Sequence, residues 1–319
     1  LRFPAVRWVL TTLTAALLLG ADASSPPEWA YPLNPSKPKP PLDDGAVLQA
    51  PGSEVALTRK DIANRFQAVD WRPAEHPPMP EAVAHGRKPD VYACGFCHYP
   101  NGQGRPENSS LAGLPAAYIV AQVEAMREGT RNSAQPDMIA PRLMTQIAAH
   151  ATTAEVAEAA AYFAALKYKP WIRVVETDIA PRPEIRGVSA YAAARDGSRE
   201  PLGERILEMP EDPARTDLRD DASGFVAYVP IGAVARGRAL AASVEGDRQP
   251  CAVCHGEGLR GALGPPLAGR SPSYLYRQLF DIQAGARTGA NIALMRTEVA
   301  ALRPAQMRDL VAYVASLPP

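Results

Sequence analysis

An all-α fold assembled from two tandem copies of one small helical domain is what this sequence of 319 residues predicts. Three observations carry that expectation. The first is a five-residue pattern that occurs twice, Cys94-Gly95-Phe96-Cys97-His98 and Cys251-Ala252-Val253-Cys254-His255, and together the copies use all 4 cysteines. The second is an ordered set of matches behind each pattern: Leu111-Ala112-Gly113 with Leu267-Ala268-Gly269, then Tyr118, Gln122, Gly129 and Arg131 with Tyr274, Gln278, Gly285 and Arg287. Ala161-Tyr162 and Ala312-Tyr313 close the series. The third is helical periodicity inside each copy, with start and stop signals at its ends. Around the two copies the sequence predicts a proline-rich N-terminal extension and a long, partly β segment between the domains.

In chain order, residues 1–23 read as a secretory signal. Arg2 and Arg7 open it, Trp8 to Gly20 is apolar, and Ala21-Asp22-Ala23 offers a small-residue cleavage site. That run is shorter than the roughly 20 apolar residues of a membrane span, so cleavage is expected, with uncleaved tethering as the alternative. Residues 24–82 form the extension, with one short helix expected over Thr58 to Val69. Residues 83–168 form the first domain. Its middle helix follows Pro115, carries the stripe Ile119, Val123, Met126 and stops at Gly129. Its final helix opens with Thr152-x-x-Glu155, a capping box, and presents Val156, Ala160 and Phe163 on one side. Residues 169–230 join the domains and contain strand-like runs at Trp171–Val175 and Phe225–Val229. Residues 231–319 form the second domain, where Leu275, Leu279 and Ile282 lie between Pro272 and Gly285, and Met307, Leu310, Val311 and Val314 follow Pro304. The Tyr and Gln matches read as ordinary helix packing, without chemistry of their own.

The repeated C-x-x-C-H pattern points to covalent attachment of haem c at each copy, two in all. Each thiol bonds one vinyl group, and the adjacent histidine is placed as an axial iron ligand. A zinc ribbon would set its two C-x-x-C pairs about 15–20 residues apart, whereas Cys97 and Cys251 are far more widely separated. A thioredoxin-like pair would need a single C-x-x-C near a βαβ pattern, which the sequence lacks. His98 and His255 are therefore the candidate proximal ligands.

A methionine on the other face would raise the reduction potential and close the iron to substrate. Met295 is the sole methionine of the loop expected between the Gly285 helix end and the last helix. In the first copy Met138 and Met144 share the equivalent loop. Met144 precedes Tyr162 by the same interval as Met295 precedes Tyr313, which favours Met144; Met138 and a bis-histidine site through His150 stay open. The expected cofactor-binding set is Cys94, Cys97, His98, Met144, Cys251, Cys254, His255 and Met295, with His98, Met144, His255 and Met295 on iron. The Pro265 carbonyl is placed to orient His255 through its second ring nitrogen. Ser109 stands where the first copy would need that proline, which puts the support of His98 in doubt.

Charge narrows the function classes. Lys+Arg and Asp+Glu are each 34, so no strong field points to nucleic acid or an anionic membrane. Proline, at 33 residues, is about twice the usual share and implies long irregular connections. Connections as long as 24–82 and 169–230 are functional or disordered. Trp29, Trp71 and Trp171 favour ordered packing over haem edges. The charged run 195–221 reads as a solvated surface, with a docking site for a redox partner as the sharper reading.

With these residues in hand, the chain resembles the di-haem class I cytochromes c, built from two tandem mono-haem cytochrome c domains. The resemblance covers residues 83–168 and 231–318. It implies all-α haem domains, a periplasmic location and single-electron transfer between a dehydrogenase or membrane complex and a downstream acceptor. Carried over by position, His98 and His255 are proximal ligands, and Met144 and Met295 distal ones. The expected partners are redox proteins: a dehydrogenase, a cytochrome complex or an oxidase. The sequence offers no catalytic acid, base or nucleophile, so a carrier is expected rather than an enzyme. Two alternatives remain: a di-haem peroxidase-like or other haem oxidoreductase, and the electron-transfer subunit of a periplasmic dehydrogenase.

Overall fold

The structure is a computed structural model that describes residues 25–34, 44–186 and 190–319. The expected signal, residues 1–23, lies outside the described residues. None of the helices among the described residues is long and apolar enough to cross a membrane.

Local signals place the helices of both copies. In the first, helices run Cys94–His98, Ala116–Arg127, Ile139–His150 and Thr153–Ala165. Thr152 caps the last of these with the expected box, its side chain accepting from the Glu155 amide while the Glu155 carboxylate accepts from the Thr152 amide. Gly129 and Gly285 take φ of 71° and 76° just beyond their helices, a conformation that a side chain disfavours. In the second copy the helices are Ala233–Ala242, Cys251–His255, Pro272–Gln283, Ala293–Val299 and Pro304–Ser316. Most of the expected stripes are buried: Ile119, Val123, Leu275 and Ile282, together with Met307, Leu310, Val311 and Val314, while Met126 and Leu279 are half-buried.

Three expectations need correcting. First, all-α describes the two helical copies and not the whole chain, which is about 39% helix and 14% strand. Ile172–Glu176 and Phe225–Val229 pair in parallel, and Leu207–Pro210 adds antiparallel to the second of them. The short pairs between 179 and 201 lie in the same joining segment. The two strand-like runs are legible because β-branched and aromatic residues favour a half-buried pleat; their mutual pairing is not. Second, the helix expected over 58–69 is Arg59–Ala63 and stops at Asn64. Beyond it the backbone leaves to pair elsewhere, with Ala68 N–H donating to the Ala84 carbonyl at 2.8 Å. Third, the two connections holding Met144 and Met295 are helical, Ile139–His150 and Ala293–Val299, rather than irregular loops.

The described residues of the long connections are packed, not loose. Residues 25–34 lie on the second copy, where Trp29 meets Tyr276 with ring centroids 4.5 Å apart and Tyr31 O–H donates to Asp281 at 2.7 Å. From residue 44 the extension lies on the first copy instead, burying Ile62, Val69 and Trp71 with Ala93 and Phe96. Trp171 N–H donates to the Gly104 carbonyl at 3.1 Å, and its ring packs on Tyr99 and Phe225. The charged run is not a uniform surface: Arg195, Asp196 and Glu204 are exposed, while Glu208, Asp220 and Asp221 are buried. Burial requires partners, and Arg72 provides them, 2.6 Å from Asp220 and 2.7 Å from Asp221.

One pH effect follows from the first copy's last helix. Glu155 receives Arg87 at 2.8 Å and the Thr152 amide at 2.7 Å. The Arg87 contact first, helped by that amide, lowers its pKa from 4.5 to about 2. A depressed carboxylate pKa stabilises the fold above the unfolded value and loses that contribution as pH falls through the folded one. Glu155→Gln should therefore lower the urea midpoint at neutral pH, and the gap from wild type should close between about pH 4.5 and pH 2. A gap independent of pH would refute this origin.

Candidate functional site

The first motif is one helical turn, Cys94–His98, entered from Ala93, with Gly95 and Phe96 buried beneath it. Glycine is required at position 95, because a Cβ there would lie 2.8 Å from the Val83 carbonyl oxygen. The turn forms one side of a cavity of about 220 Å³. Cys94, Cys97, His98 and Met144 all line that cavity, with Leu114, Ile119, Val156 and Phe163 among the apolar residues around them. Met138 does not line it. Its side chain is wholly buried in the second copy's core beside Tyr31 and Tyr276. His150 is exposed and bonds the Gln146 carbonyl of its own helix at 2.9 Å.

The histidines are oriented alike. His98 Nδ1–H donates to the Ser109 carbonyl at 2.7 Å, and His255 Nδ1–H donates to the Pro265 carbonyl at 2.9 Å. A carbonyl can only accept, so Nδ1 carries the proton and Nε2 keeps its lone pair. Burial lowers both imidazole pKa values, against the opposing carbonyl bond, and favours the neutral ring that a metal needs. The doubt raised by Ser109 is thereby removed: the acceptor is a backbone oxygen, and the side chain above it is immaterial. Around His255 the chain is tighter, since a Cβ on Gly264 would lie 2.7 Å from its Cε1. Asn108 holds that place in the first copy and donates to the Cys97 carbonyl at 3.2 Å.

Burial pushes the Cys94 thiol up to about 12 and raises Cys97 and Cys251 as well. In the second copy Cys251 and Met295 both pack, half-buried, against the core that includes Leu275, Val299 and Met307. Among the described residues no three His, Cys, Asp or Glu side chains gather as a metal cluster. The first cavity nevertheless fits a covalently attached haem by its donor set: two thiols to bond the vinyl groups, an imidazole with a free Nε2, a thioether, and apolar walls.

The Tyr, Gln and Arg matches do more than pack helices. Gln122 accepts from Arg131 at 3.0 Å and from Arg287 of the other copy at 2.9 Å. Gln278 accepts from Arg287 at 2.9 Å and from Arg131 at 3.1 Å. Tyr274 accepts from Arg131 at 2.7 Å. The two Gln–Arg pairs thus form a pseudo-twofold cluster between the copies, and Arg131, Gln122, Tyr274 and Gln278 also line the first cavity. Burial first, and the Arg131 charge second, hold Arg287 below the usual guanidinium value. The signal is present as matched positions, but a repeat match alone does not distinguish an intradomain contact from one shared by two copies. Arg270, unmatched in the first copy, adds a second joint by donating to the Ser110 and Ala112 carbonyls at 2.8 and 2.9 Å.

Comparison with known proteins places part of this geometry in a family. Residues 234–318 match the protein-family model for cytochrome c, so the second copy carries a cytochrome c domain and its motif implies covalently bound haem c. Over 234 residues the chain is 26% identical to a thiosulfate dehydrogenase electron acceptor of Thiomonas intermedia (strain K12), covering 72% of this chain and 81% of that protein. Among solved structures, thiosulfate dehydrogenase TsdBA of Marichromatium purpuratum is 28% identical with a TM-score of 0.47. That likeness covers 72% of this chain but 37% of the other, so this chain spans little more than a third of it. Reduced recombinant cytochrome c4 of Pseudomonas stutzeri is 20% identical with a TM-score of 0.45, over 70% of this chain and 93% of that one.

Proposed function

We propose that this chain is a periplasmic di-haem c-type cytochrome that carries single electrons from a thiosulfate-oxidising dehydrogenase to a downstream acceptor. The observation that carries the reading is the shared cavity of Cys94, Cys97, His98 and Met144, with a second motif whose histidine is oriented in the same way. His98 and His255 would hold the irons through Nε2, with Met144 and Met295 supplying a thioether donor at each site. Bound haem supplies the redox chemistry, and the protein's part is attachment, orientation and exclusion of water. The sequence relation to an electron acceptor of thiosulfate dehydrogenase, across most of both chains, favours that class of donor. Residues 1–23 are read as the export signal, 83–168 and 231–319 as the two haem domains.

The test uses purified holoprotein with haem counted per chain. Two haems, low-spin in both oxidation states, are expected. Thiosulfate alone should leave the ferric protein unreduced, and addition of a thiosulfate dehydrogenase should reduce both haems. Unaided oxidation of thiosulfate, or ready uptake of peroxide, would replace the carrier with an enzyme.

A further inference from the structure

The two motifs are alike in sequence and unlike in cover. Phe96 and Val253 hold the same place, between the two cysteines, yet Phe96 is 7% exposed and Val253 64%. The contrast repeats nearby. Two residues before each histidine-orienting carbonyl stand Glu107, half-buried, and Leu263, exposed. Just before each methionine stand Leu143, half-buried, and Leu294, exposed.

The cover over the first motif comes from both long connections. Arg219, in the joining segment, sets its guanidinium 3.6 Å from the Phe96 ring centroid and donates to the Phe96 carbonyl at 2.8 Å. Trp71, in the N-terminal extension, packs in the same cluster as Phe96, with Cys97 and Leu218 at its margin. Its indole N–H donates to the Leu218 carbonyl at 2.8 Å, tying one cover to the other. Arg72 locks the pair through Asp220 and Asp221, which are almost completely buried. The second motif has no such lid among the described residues. The first cavity, in turn, is lined by Tyr274, Arg277, Gln278 and Asp281 of the second copy.

We infer that Trp71 and Arg219 close the cysteine edge of the first site, so that electrons enter and leave the molecule at the second motif and reach the first site through it. The inference rests on the carrier reading and gives the two long segments a role, which is to make the two sites unequal. Outer-sphere transfer falls steeply with distance, and a wall of indole and guanidinium keeps a reagent away from one edge while the other meets solvent.

The experiment mixes fully reduced holoprotein with excess ferricyanide in a stopped-flow instrument. Each ferrous haem gives one electron to one ferricyanide, which becomes ferrocyanide. Two phases of equal amplitude are expected. Val253→Glu, on an exposed position, places a negative charge at the open edge against a trianionic oxidant. It should slow both phases about fivefold at low salt, with the effect shrinking as salt rises. Leu263→Glu should do the same. If either variant slows one phase and leaves the other at its wild-type rate, the first site has its own port and the inference falls. Hydrogen exchange supplies a readout independent of electron flow. The segment 94–98 should be strongly protected and 251–255 quickly labelled, and equal labelling would refute the lid. Failure of the carrier reading would show differently, as peroxide uptake or a missing haem with the exchange contrast intact.

Discussion

On the proposed di-haem ligand set, Met144→Ala should remove the far-red Met–ferric absorption from one haem and lower that haem's reduction potential, leaving the other untouched. Met138→Ala should leave the visible spectrum unchanged and cost about 3 kcal/mol of stability instead, as buried methionine truncations do. The two residues lie in one stretch of chain and differ in surroundings. Met144 lines the cavity that holds Cys94, Cys97 and His98, whereas Met138 is wholly buried among Tyr31, Ile206 and Tyr276 on the second copy's side. Methionine opposite histidine raises the potential relative to other ligand sets, so its loss shifts the midpoint downward. Spectroelectrochemical titration of each variant, beside urea unfolding, separates the outcomes. A lost band in Met138→Ala with Met144→Ala unchanged would reverse the proposed ligand.

The proposed choice between methionines can be drawn from sequence because the interval to the final-helix tyrosine is a local, countable quantity. The same holds for the Thr152 capping box and the glycine stops, whose causes lie within a turn of the residues concerned. The lid is not legible. Trp71 and Leu218 meet at a separation of 147 residues, and nothing in either segment's composition names the other. The cluster between the copies stands in plain view as matched positions, but its Tyr and Gln members read as helix packing, because pattern cannot say which copy a side chain bonds. The support of His98 escapes the sequence for a different reason. A backbone carbonyl performs it, so Ser109 serves as well as the proline that the second copy uses.

Gly237→Ala is the sharpest contest between a local rule and a tertiary one. Gly237 lies inside the helix Ala233–Ala242, where alanine is favoured over glycine by about 1 kcal/mol. On that ground alone the variant gains stability. Packing predicts the reverse. The helix crosses Pro304–Ser316 so closely that a Cβ at 237 would lie 1.9 Å from the Asp309 carbonyl oxygen and 2.8 Å from Tyr313 Cβ. The oxygen belongs to helix backbone and cannot swing aside, so the two helices must part. Parting them strains the Arg236–Asp309 pair, now at 2.6 Å, and loosens the buried face of Leu310, Val311 and Val314. Overpacking of this kind costs about 3 kcal/mol, which outweighs the propensity gain. Urea unfolding should therefore give a midpoint well below wild type with an unchanged slope. A midpoint equal to or above wild type would mean that the helices do not cross at this residue. No hydrophobic pattern marks such a crossing, since its requirement is the absence of a side chain.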